Sequence, residues 1–285
     1  MAKFKSAVPL FIYQMAGYDP YSDDVLASIA AQGYDGVEVP GANMQIKDPV
    51  ALRKTIEGYG LEIAAVTGLW GWAGGELGAV AEKDIMSSNP VWRQNAVQYI
   101  KDCVDLMVAL GCRNINISPG PLGKCDTSPE GKAQARENLL QTMREVLPYA
   151  KQRNVNLPLE PNNRYEGYPF FMGTLAEAKE IVEELQTDCS GIVADTFHMN
   201  IEETKSIPLA LMEAGTHIRH IHCVDNNRLG VGMGSIDFKP IFAALKVMGY
   251  QGYLTVESCP PQIDPKVIAS VAIHNMKGLE RTIEC

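Results

Sequence analysis

Short apolar runs alternate with amphipathic segments along the whole chain. The apolar runs have the length of buried strands, and the segments between them repeat apolar residues at helical spacing. Eight such strand–helix pairs fit within the 285 residues, and this alternation predicts a parallel sheet covered by helices. Eight units favour a closed (β/α)₈ barrel, which needs about 250 residues, over an open doubly wound sheet. We therefore predict an α/β fold, a single-domain TIM barrel over residues 1–285.

Some boundaries of the predicted elements are marked by helix-start and helix-stop residues. The sequence SSNP precedes a helix with Pro90 in its first turn, where the missing N–H costs nothing, and Gly111 is a natural stop. The last helix is predicted over Pro265–Ile283. The first strand is predicted over residues 7–13, and the Gly/Ala-rich residues 71–88 are expected to form an irregular lid.

The composition is that of an ordinary globular protein with an acidic surface. Hydrophobic residues make up 46% and charged residues 21% of the chain, both in the usual range. The formal net charge of −9 argues against nucleic acid or an anionic membrane as a partner, because both require a basic surface. The N-terminus shows no convincing signal peptide. The seven cysteines lack CxxC spacing and are expected to be reduced thiols in a cytoplasmic protein.

Four potential metal ligands end four of the predicted strands. Glu160, Asp195, His222 and Glu257 follow the runs VNLPL, GIVA, IRHI and GYLTV, with spacings of 35, 27 and 35 residues. In a barrel, the carboxyl ends of all strands meet on one face, and a buried carboxylate is costly unless it is paired or bound to a metal. Separate ion pairs explain any one of these residues, but a shared metal explains all four. Three carboxylates and one imidazole suit Mn²⁺, Mg²⁺ or Co²⁺ better than a thiolate-rich zinc site does.

Three segments of the chain resemble a known enzyme family. The strings LEPNNRYE, DTFHMNIEE and HCVDNNRLG contain Glu160, Asp195 and His222, respectively. They closely resemble the ketose 3-epimerases of the D-tagatose 3-epimerase and D-allulose 3-epimerase group, within the xylose-isomerase-like superfamily of sugar isomerases and epimerases. The resemblance implies a metal-dependent TIM barrel in which Glu160 and Glu257 bind the metal and also act as the catalytic acid and base. Asp195 and His222 match the two remaining ligands.

Four further residues are predicted to contact the substrate. By the same resemblance, Glu166, His198 and Arg228 match residues that hold the O1 and O2 end of a ketose. Trp70 follows the third strand, and its aromatic face suits the apolar C–H face of a sugar. Structural explanations also exist, since Glu166 can pair with Arg164, and Arg228 can bridge carboxylates. After Arg228, the string GVGMGSIDF follows the wider superfamily rather than the 3-epimerases.

Several weaker candidates lie near the predicted barrel mouth, namely Trp72, Tyr13, Glu38, Trp92 and Asn116. Glu38, at the end of the second strand, could hydrogen-bond a sugar or be purely structural. His220 lies two residues before His222, so both side chains face the same side of the strand. His220 could support the metal ligands from behind or fill the barrel interior, and we expect it to be a filler.

The predicted reaction is the epimerisation of a free ketose at C3. One divalent metal ion, with Mn²⁺ expected first and Co²⁺ or Mg²⁺ as alternatives, would act as a Lewis acid on a cis-enediolate. The two glutamates would exchange protons with opposite faces of the sugar. Only Arg228 supplies positive charge near the glycine-rich loop after the seventh strand, which favours a free sugar over a phosphorylated one. A homodimer or homotetramer is expected, because the family commonly forms them.

Other functions are open at the level of sequence. The same ligands would serve an aldose–ketose isomerase, or a dehydratase or lyase that acts on a keto-sugar, a keto-inositol or an oxidised glycoside. A phosphodiesterase like the barrel endonucleases that act on abasic DNA would need more histidine ligands and a basic groove. The five histidines and the net charge of −9 disfavour that reading. A catalytically silent sugar-binding barrel is disfavoured by the two intact glutamates.

Overall fold

In the computed structural model, eight parallel strands form one sheet that closes on itself as a barrel. The structure describes residues 3–41, 46–68, 82–119, 126, 128–165 and 172–283. The strands are β1 (Lys5–Pro9), β2 (Gly36–Pro40), β3 (Glu62–Thr67), β4 (Ile115–Asn116), β5 (Leu157–Leu159), β6 (Ser190–Asp195), β7 (Ile218–His222) and β8 (Tyr253–Thr255).

Helices connect the strands and cover the outside of the barrel. Those in the described ranges are α1 (Leu10–Met15), α2 (Asp23–Gln32), α3 (Pro49–Gly58), α4 (Pro90–Leu110), α5 (Pro129–Gln152), α6 (Leu175–Leu185), α7 (Thr196–Glu202), α8 (Ile207–Ala214), α9 (Phe238–Val247) and α10 (Pro265–Ile283). A short 3₁₀ turn, Gly215–His217, leads into β7. No helix in these described ranges has both the length and the apolar run that crossing a membrane requires.

Strand pairing runs almost without interruption around the barrel. β1 pairs with both β2 and β8, so the sheet is continuous from β4 through β1 to β5. The seam between β4 and β5 is closed by isolated bridges, one of which joins Ile117 to Leu159. Across this seam the Glu160 N–H donates to the Ile117 carbonyl at 2.8 Å, so closure also fixes the residue that follows β5. The prediction of a TIM barrel is confirmed.

The outer helices bury their apolar faces, and their ends follow the predicted signals. Ile100 of α4 and Leu139 of α5 are fully buried in the core between the barrel and its helical cover. α4 begins at Pro90 and ends before Gly111, which has a left-handed φ of 75°, as predicted. Its N-cap is Asn89, whose side-chain oxygen accepts from the Val91 backbone N–H of the first turn at 2.9 Å.

The prediction of a strand over residues 7–13 is wrong in its second half. β1 ends at Pro9, and Leu10–Met15 forms α1 instead. A short unbroken apolar run suits a buried strand and a buried helix equally well, and here residues 10–13 are buried in helical form. Tyr13 therefore packs in the hydrophobic core instead of ending a strand. Of the predicted lid, only residues 82–88 are described, and they form turns and bends.

Candidate metal centre

The carboxyl ends of β5, β6, β7 and β8 bring four predicted ligands together. Asp195 and His222 are the last residues of β6 and β7, Glu160 directly follows β5, and Glu257 lies two residues beyond β8. These four strands are consecutive in the barrel, so their ends lie side by side. One ligand atom from each residue lies within 4.8 Å of the others, and all four residues are buried. We refer to these four residues as the ligand cluster.

Three atoms at the centre of the ligand cluster lack a hydrogen-bond partner. His222 Nδ1 lies 3.1 Å from Glu257 Oε2 and 3.4 Å from Glu160 Oε1. Glu160 Oε1, Asp195 Oδ2 and His222 Nδ1 are buried, and no residue in the described part of the chain hydrogen-bonds to them. Buried polar atoms are normally satisfied. Unsatisfied ligand atoms that converge on one point therefore indicate a site for a cation.

The other oxygen of two of these carboxylates is held by the protein. Asn116 Nδ2 donates to Glu160 Oε2 at 2.9 Å, and the Phe197 backbone N–H donates to Asp195 Oδ1 at 2.7 Å. The second bond caps α7, a short helix that the sequence analysis did not predict. Each carboxylate thus has one oxygen fixed by the fold and one left for the cluster, which is how a preorganised ligand is built.

Burial makes the ligand cluster electrostatically costly without a cation. It raises the pKa of Asp195 to about 8, although the neighbouring Arg228 opposes this shift. Burial also raises the pKa of Glu257, against the influence of His222. For Glu160, burial is outweighed by the adjacent His222, so that its pKa is lowered. A divalent cation would balance this concentration of negative charge, and the oxygen-rich donor set fits Mn²⁺, Mg²⁺ or Co²⁺.

His198, near the start of α7, is held as a neutral imidazole. The Asn163 backbone N–H donates to His198 Nδ1 at 3.1 Å, so Nδ1 is the acceptor and Nε2 carries the proton. Burial lowers the pKa of His198 to about 3, with Arg228 acting in the same direction. The side-chain amide of Asn162 lies 2.9 Å from Nε2, and with the proton on Nε2 the amide oxygen is the group that accepts from it. Nε2 lies 3.6 Å from Asp195 Oδ2. The ring therefore presents a donor at the edge of the ligand cluster.

Arg228 has a backbone conformation that few residues other than glycine adopt. Its φ is 63°, and such strain is concentrated at functional sites. The Ser258 hydroxyl donates to the Arg228 carbonyl, while the guanidinium stacks on the Phe197 ring, 3.8 Å from its centroid. Nη1 lies 3.8 Å from Asp195 Oδ2. These contacts hold the guanidinium beside the ligand cluster.

Trp70, Trp72 and Glu166 lie outside the described residues, so their predicted roles stay predictions. Trp92 is half-buried in the first turn of α4.

Sequence reasoning missed several residues that support the site. Asn163 and Phe197 were given no role, although each lies within three residues of a predicted ligand along the chain. Proximity to Glu160 and Asp195 was the only local signal available. For Glu38 the sequence allows either a sugar contact or a structural role, and its Oε1 lies 3.3 Å from His222 Nε2.

The sequence is similar to a TIM-barrel family and to several epimerases. A family model described as a xylose isomerase-like TIM barrel matches residues 26–279. A D-psicose 3-epimerase of Enterocloster bolteae is 32% identical over 251 residues, which cover 85% of this chain and 77% of that protein. The 3-dehydro-D-guloside 4-epimerase of Escherichia coli is 27% identical over 83% of this chain and 87% of its own. Further curated relatives are named ketose or L-ribulose 3-epimerases.

The same fold is present in solved structures. A D-psicose 3-epimerase with D-tagatose from Clostridium cellulolyticum H10 superposes with a TM-score of 0.81. The match covers 99% of this chain and 100% of that chain at 22% sequence identity. At that level of identity the likeness is evidence for the fold alone.

We expect Mn²⁺ to raise the melting temperature of the metal-free protein, because a ligand that binds only the folded state stabilises it. At about 100 times the dissociation constant, the gain is about 2.7 kcal/mol. For a chain of this size we expect a rise on the order of 5 °C or more. Differential scanning fluorimetry after EDTA treatment, with and without added Mn²⁺, measures this shift.

Asp195→Asn is the matched variant for this experiment. It keeps an Oδ1 acceptor for the Phe197 N–H but removes the carboxylate from the ligand cluster. The metal-free variant should melt no lower than the parent, because charge repulsion is relieved, and its Mn²⁺ shift should be much smaller. A shift equal to that of the parent would contradict the assignment of Asp195 as a ligand.

Proposed function

The chain belongs to the xylose isomerase-like TIM-barrel family, and on that premise we propose that it epimerises a free ketose at C3 in a metal-dependent reaction. The observation that carries the proposal is the convergence of two glutamates, Glu160 and Glu257, on one buried ligand cluster. The curated relatives named above are epimerases, and epimerases are isomerases. Most of those names specify C3 of a ketose, which favours this position.

Two glutamates suit a proton transfer that inverts a carbon centre. Glu160 and Glu257 enter the ligand cluster from β5 and β8, with β6 and β7 between them in the barrel. One removes the C3 proton, which gives a cis-enediolate of the sugar, and the other delivers a proton to the opposite face. The reverse reaction exchanges their roles. Asn116, through its bond to Glu160 Oε2, fixes the orientation of the Glu160 carboxylate for this transfer.

A divalent cation bound by the ligand cluster would supply Lewis acidity for the charge that develops on the ketose oxygens as the proton leaves. The protein supplies orientation and exclusion of water. All four cluster residues are at least nine-tenths buried, and electrostatic interactions are stronger in such a site than in water.

His198 and Arg228 are proposed to hold the O1 and O2 end of the ketose. The neutral His198 ring carries its proton on Nε2, the nitrogen nearer to Asp195. The Arg228 guanidinium is fixed by Phe197 beneath it. Both groups donate hydrogen bonds, and donors beside the carbonyl oxygen stabilise negative charge as it forms there. Trp70 and Glu166 are proposed to complete the sugar site.

Finer features of the proposal come from the sequence. We propose Mn²⁺ as the metal, a free rather than phosphorylated sugar, a homodimer or homotetramer, and a location in the cytoplasm. Arg228 alone supplies positive charge near the glycine-rich loop in the sequence. This supports the free sugar, because a phosphate would need further cationic partners.

A second candidate is the epimerisation of a 3-keto glycoside at C4. It is favoured by the 27% identity to the 3-dehydro-D-guloside 4-epimerase, which extends over 83% of this chain. The chemistry is the same, since C4 is adjacent to a C3 carbonyl just as C3 is adjacent to a C2 carbonyl. The two candidates differ in which carbon lies between the glutamates.

Proton exchange in D₂O distinguishes these functions. We expect the Mn²⁺-loaded protein to place deuterium at C3 of one or more free ketoses, with the C3 epimer appearing, as followed by NMR. Exchange at C1 with an aldose product would instead identify an aldose–ketose isomerase. Exchange confined to C4 of a 3-keto glycoside would identify the second candidate. An absence of exchange across both substrate classes would contradict the proposal.

Replacing either glutamate should separate exchange from epimerisation. Glu160→Gln and Glu257→Gln should each lower the epimerisation rate by about 10²- to 10⁴-fold, the usual contribution of a general acid or base. Each variant keeps one proton-transfer group, so each should exchange the C3 proton of only one of the two epimers. Glu203→Gln, a half-buried glutamate that bonds the Leu175 N–H, is the control and should epimerise normally. Near-normal epimerisation by either cluster variant would exclude this division of roles.

His198→Ala should weaken catalysis without removing the metal. Loss of one hydrogen bond to a developing charge costs about 1.5–3 kcal/mol, which corresponds to a fall of roughly 10- to 100-fold in kcat/KM. The Mn²⁺-induced rise in melting temperature should be retained, because His198 is outside the ligand cluster. Steady-state kinetics on the best ketose, with the thermal shift alongside, tests both points. A variant with unchanged kcat/KM would show that His198 does not contact the substrate.

A further inference from the structure

A layer of polar side chains lies inside the barrel beneath the ligand cluster. Glu38, Thr67, His220 and Thr255 come from β2, β3, β7 and β8, and the least buried of them is 3% exposed. The interior of such barrels is usually filled by branched aliphatic side chains. A carboxylate is costly there unless it is bonded on all sides. This layer therefore needs a reason beyond packing.

Glu38 is tied to the layer by both of its oxygens. His220 Nε2 contacts Glu38 Oε1 at 2.6 Å, and Thr67 Oγ1 donates to Glu38 Oε2 at 3.3 Å. Thr255 Oγ1 lies 3.1 Å from the same His220 nitrogen. Glu38 and His220 are 182 residues apart in sequence, and their strands are separated in the barrel by β1 and β8. The carboxylate thus crosses the barrel interior to reach β7.

The same carboxylate oxygen faces His222. Glu38 Oε1 lies 3.3 Å from His222 Nε2, a contact at ion-pair distance without a hydrogen bond. The opposite ring nitrogen, Nδ1, faces Glu160 and Glu257 in the ligand cluster. The imidazole therefore stands between one carboxylate below and two above.

We propose that Glu38 is a positioning residue for the metal centre, which keeps the His222 proton on Nε2 and thereby presents the Nδ1 lone pair to a divalent cation. A neutral imidazole carries one proton, and a carboxylate beside one nitrogen favours the proton at that nitrogen. His220, two residues before His222 on β7, holds Glu38 in place inside the barrel. The inference rests on the proposed metal-dependent function, since it assigns a support to one of the metal ligands.

This role selects among the alternatives that the sequence leaves open for two residues. For His220 these are a support behind the metal ligands or, as the expectation, a filler of the barrel interior, and for Glu38 they are a sugar contact or a structural group. Glu38 is fully buried, and its two oxygens contact His220 and Thr67 inside the barrel. Its contacts place its effect on His222 instead, one step removed from the reacting atoms.

Metal affinity in the absence of substrate tests the inference. Isothermal titration of the metal-free protein with Mn²⁺ should show a dissociation constant about 10- to 100-fold higher in Glu38→Ala than in the parent, the usual loss when the partner of a ligating histidine is removed. Glu38→Gln, which keeps an acceptor oxygen and the side-chain shape, should fall between the two. Glu203→Gln is the control and should bind Mn²⁺ within about threefold of the parent, because it removes no partner of a ligand.

A purely structural role would give a different pattern. In that case Glu38→Gln would melt at a lower temperature in EDTA but bind Mn²⁺ like the parent, and this result would overturn the inference. If Glu38→Ala does not fold, Glu38→Gln alone decides the question. A parent protein that binds no divalent cation would overturn the metal centre itself. Two Mn²⁺ ions per chain, with one lost in Glu38→Gln, would make Glu38 a ligand and would also overturn the positioning role.

The position of the proton supplies a second, independent readout. In the Mg²⁺-loaded parent labelled with ¹⁵N-histidine, the His222 signal should be that of the tautomer with its proton on Nε2. Spectra of variants that each lack one histidine show which signal belongs to His222 among the five histidines. A proton on Nδ1 would overturn the inference, whatever the metal affinities are.

Discussion

The concentration of negative charge at the end of the barrel is the constraint around which this site is organised. Three carboxylates and one imidazole share a buried space with ligand atoms within 4.8 Å of one another. Burying such charges without compensation costs several kcal/mol for each ion. The raised pKa of Asp195, near 8, expresses the same cost, which burial imposes. A divalent cation would offset this cost, and the unsatisfied oxygen and nitrogen atoms of the cluster are the atoms that a cation would bind.

Surrounding groups contact three of the four ligands at the atom that the cation does not need. Asn116 holds one oxygen of Glu160, and the start of α7 holds one oxygen of Asp195. Glu38 faces the second nitrogen of His222 from below. This arrangement limits the freedom of the ligands before any metal arrives, so less conformational entropy is lost on binding. The barrel contributes rigidity, because every ligand is attached at or directly beyond a strand end.

The barrel and the identity of the ligand cluster were predictable from sequence because both leave local marks. Alternating runs mark the strands, and Glu160, Asp195, His222 and Glu257 stand at the ends of four of them. The change from strand to helix after Pro9 was not predictable, since a short apolar run such as residues 10–13 suits a buried strand and a buried helix equally well. Glu38 was not predictable as a support of His222, because the contact crosses the barrel between strands that are neither adjacent in sequence nor paired. Local patterns report which face a side chain takes, but not which group it meets across an interior.

In the proposed function, the ligand cluster determines the class of reaction more firmly than it determines the carbon that is inverted. Abstraction of a proton next to a carbonyl requires stabilisation of the resulting charge and a base within reach, and both are independent of the rest of the sugar. The position of inversion depends on which carbonyl and hydroxyl pair is held against the cluster. In the proposed reaction, a C2 ketone would place C3 between Glu160 and Glu257, whereas a C3 ketone would place C4 there. His198 and Arg228 lie at the edge of the cluster. In the proposed function, they would distinguish the free hydroxymethyl end of a ketose from the body of a glycoside. The two candidate reactions would therefore use the same pair of glutamates. They would differ in how far the sugar is shifted along the site, and groups outside the cluster would set that position.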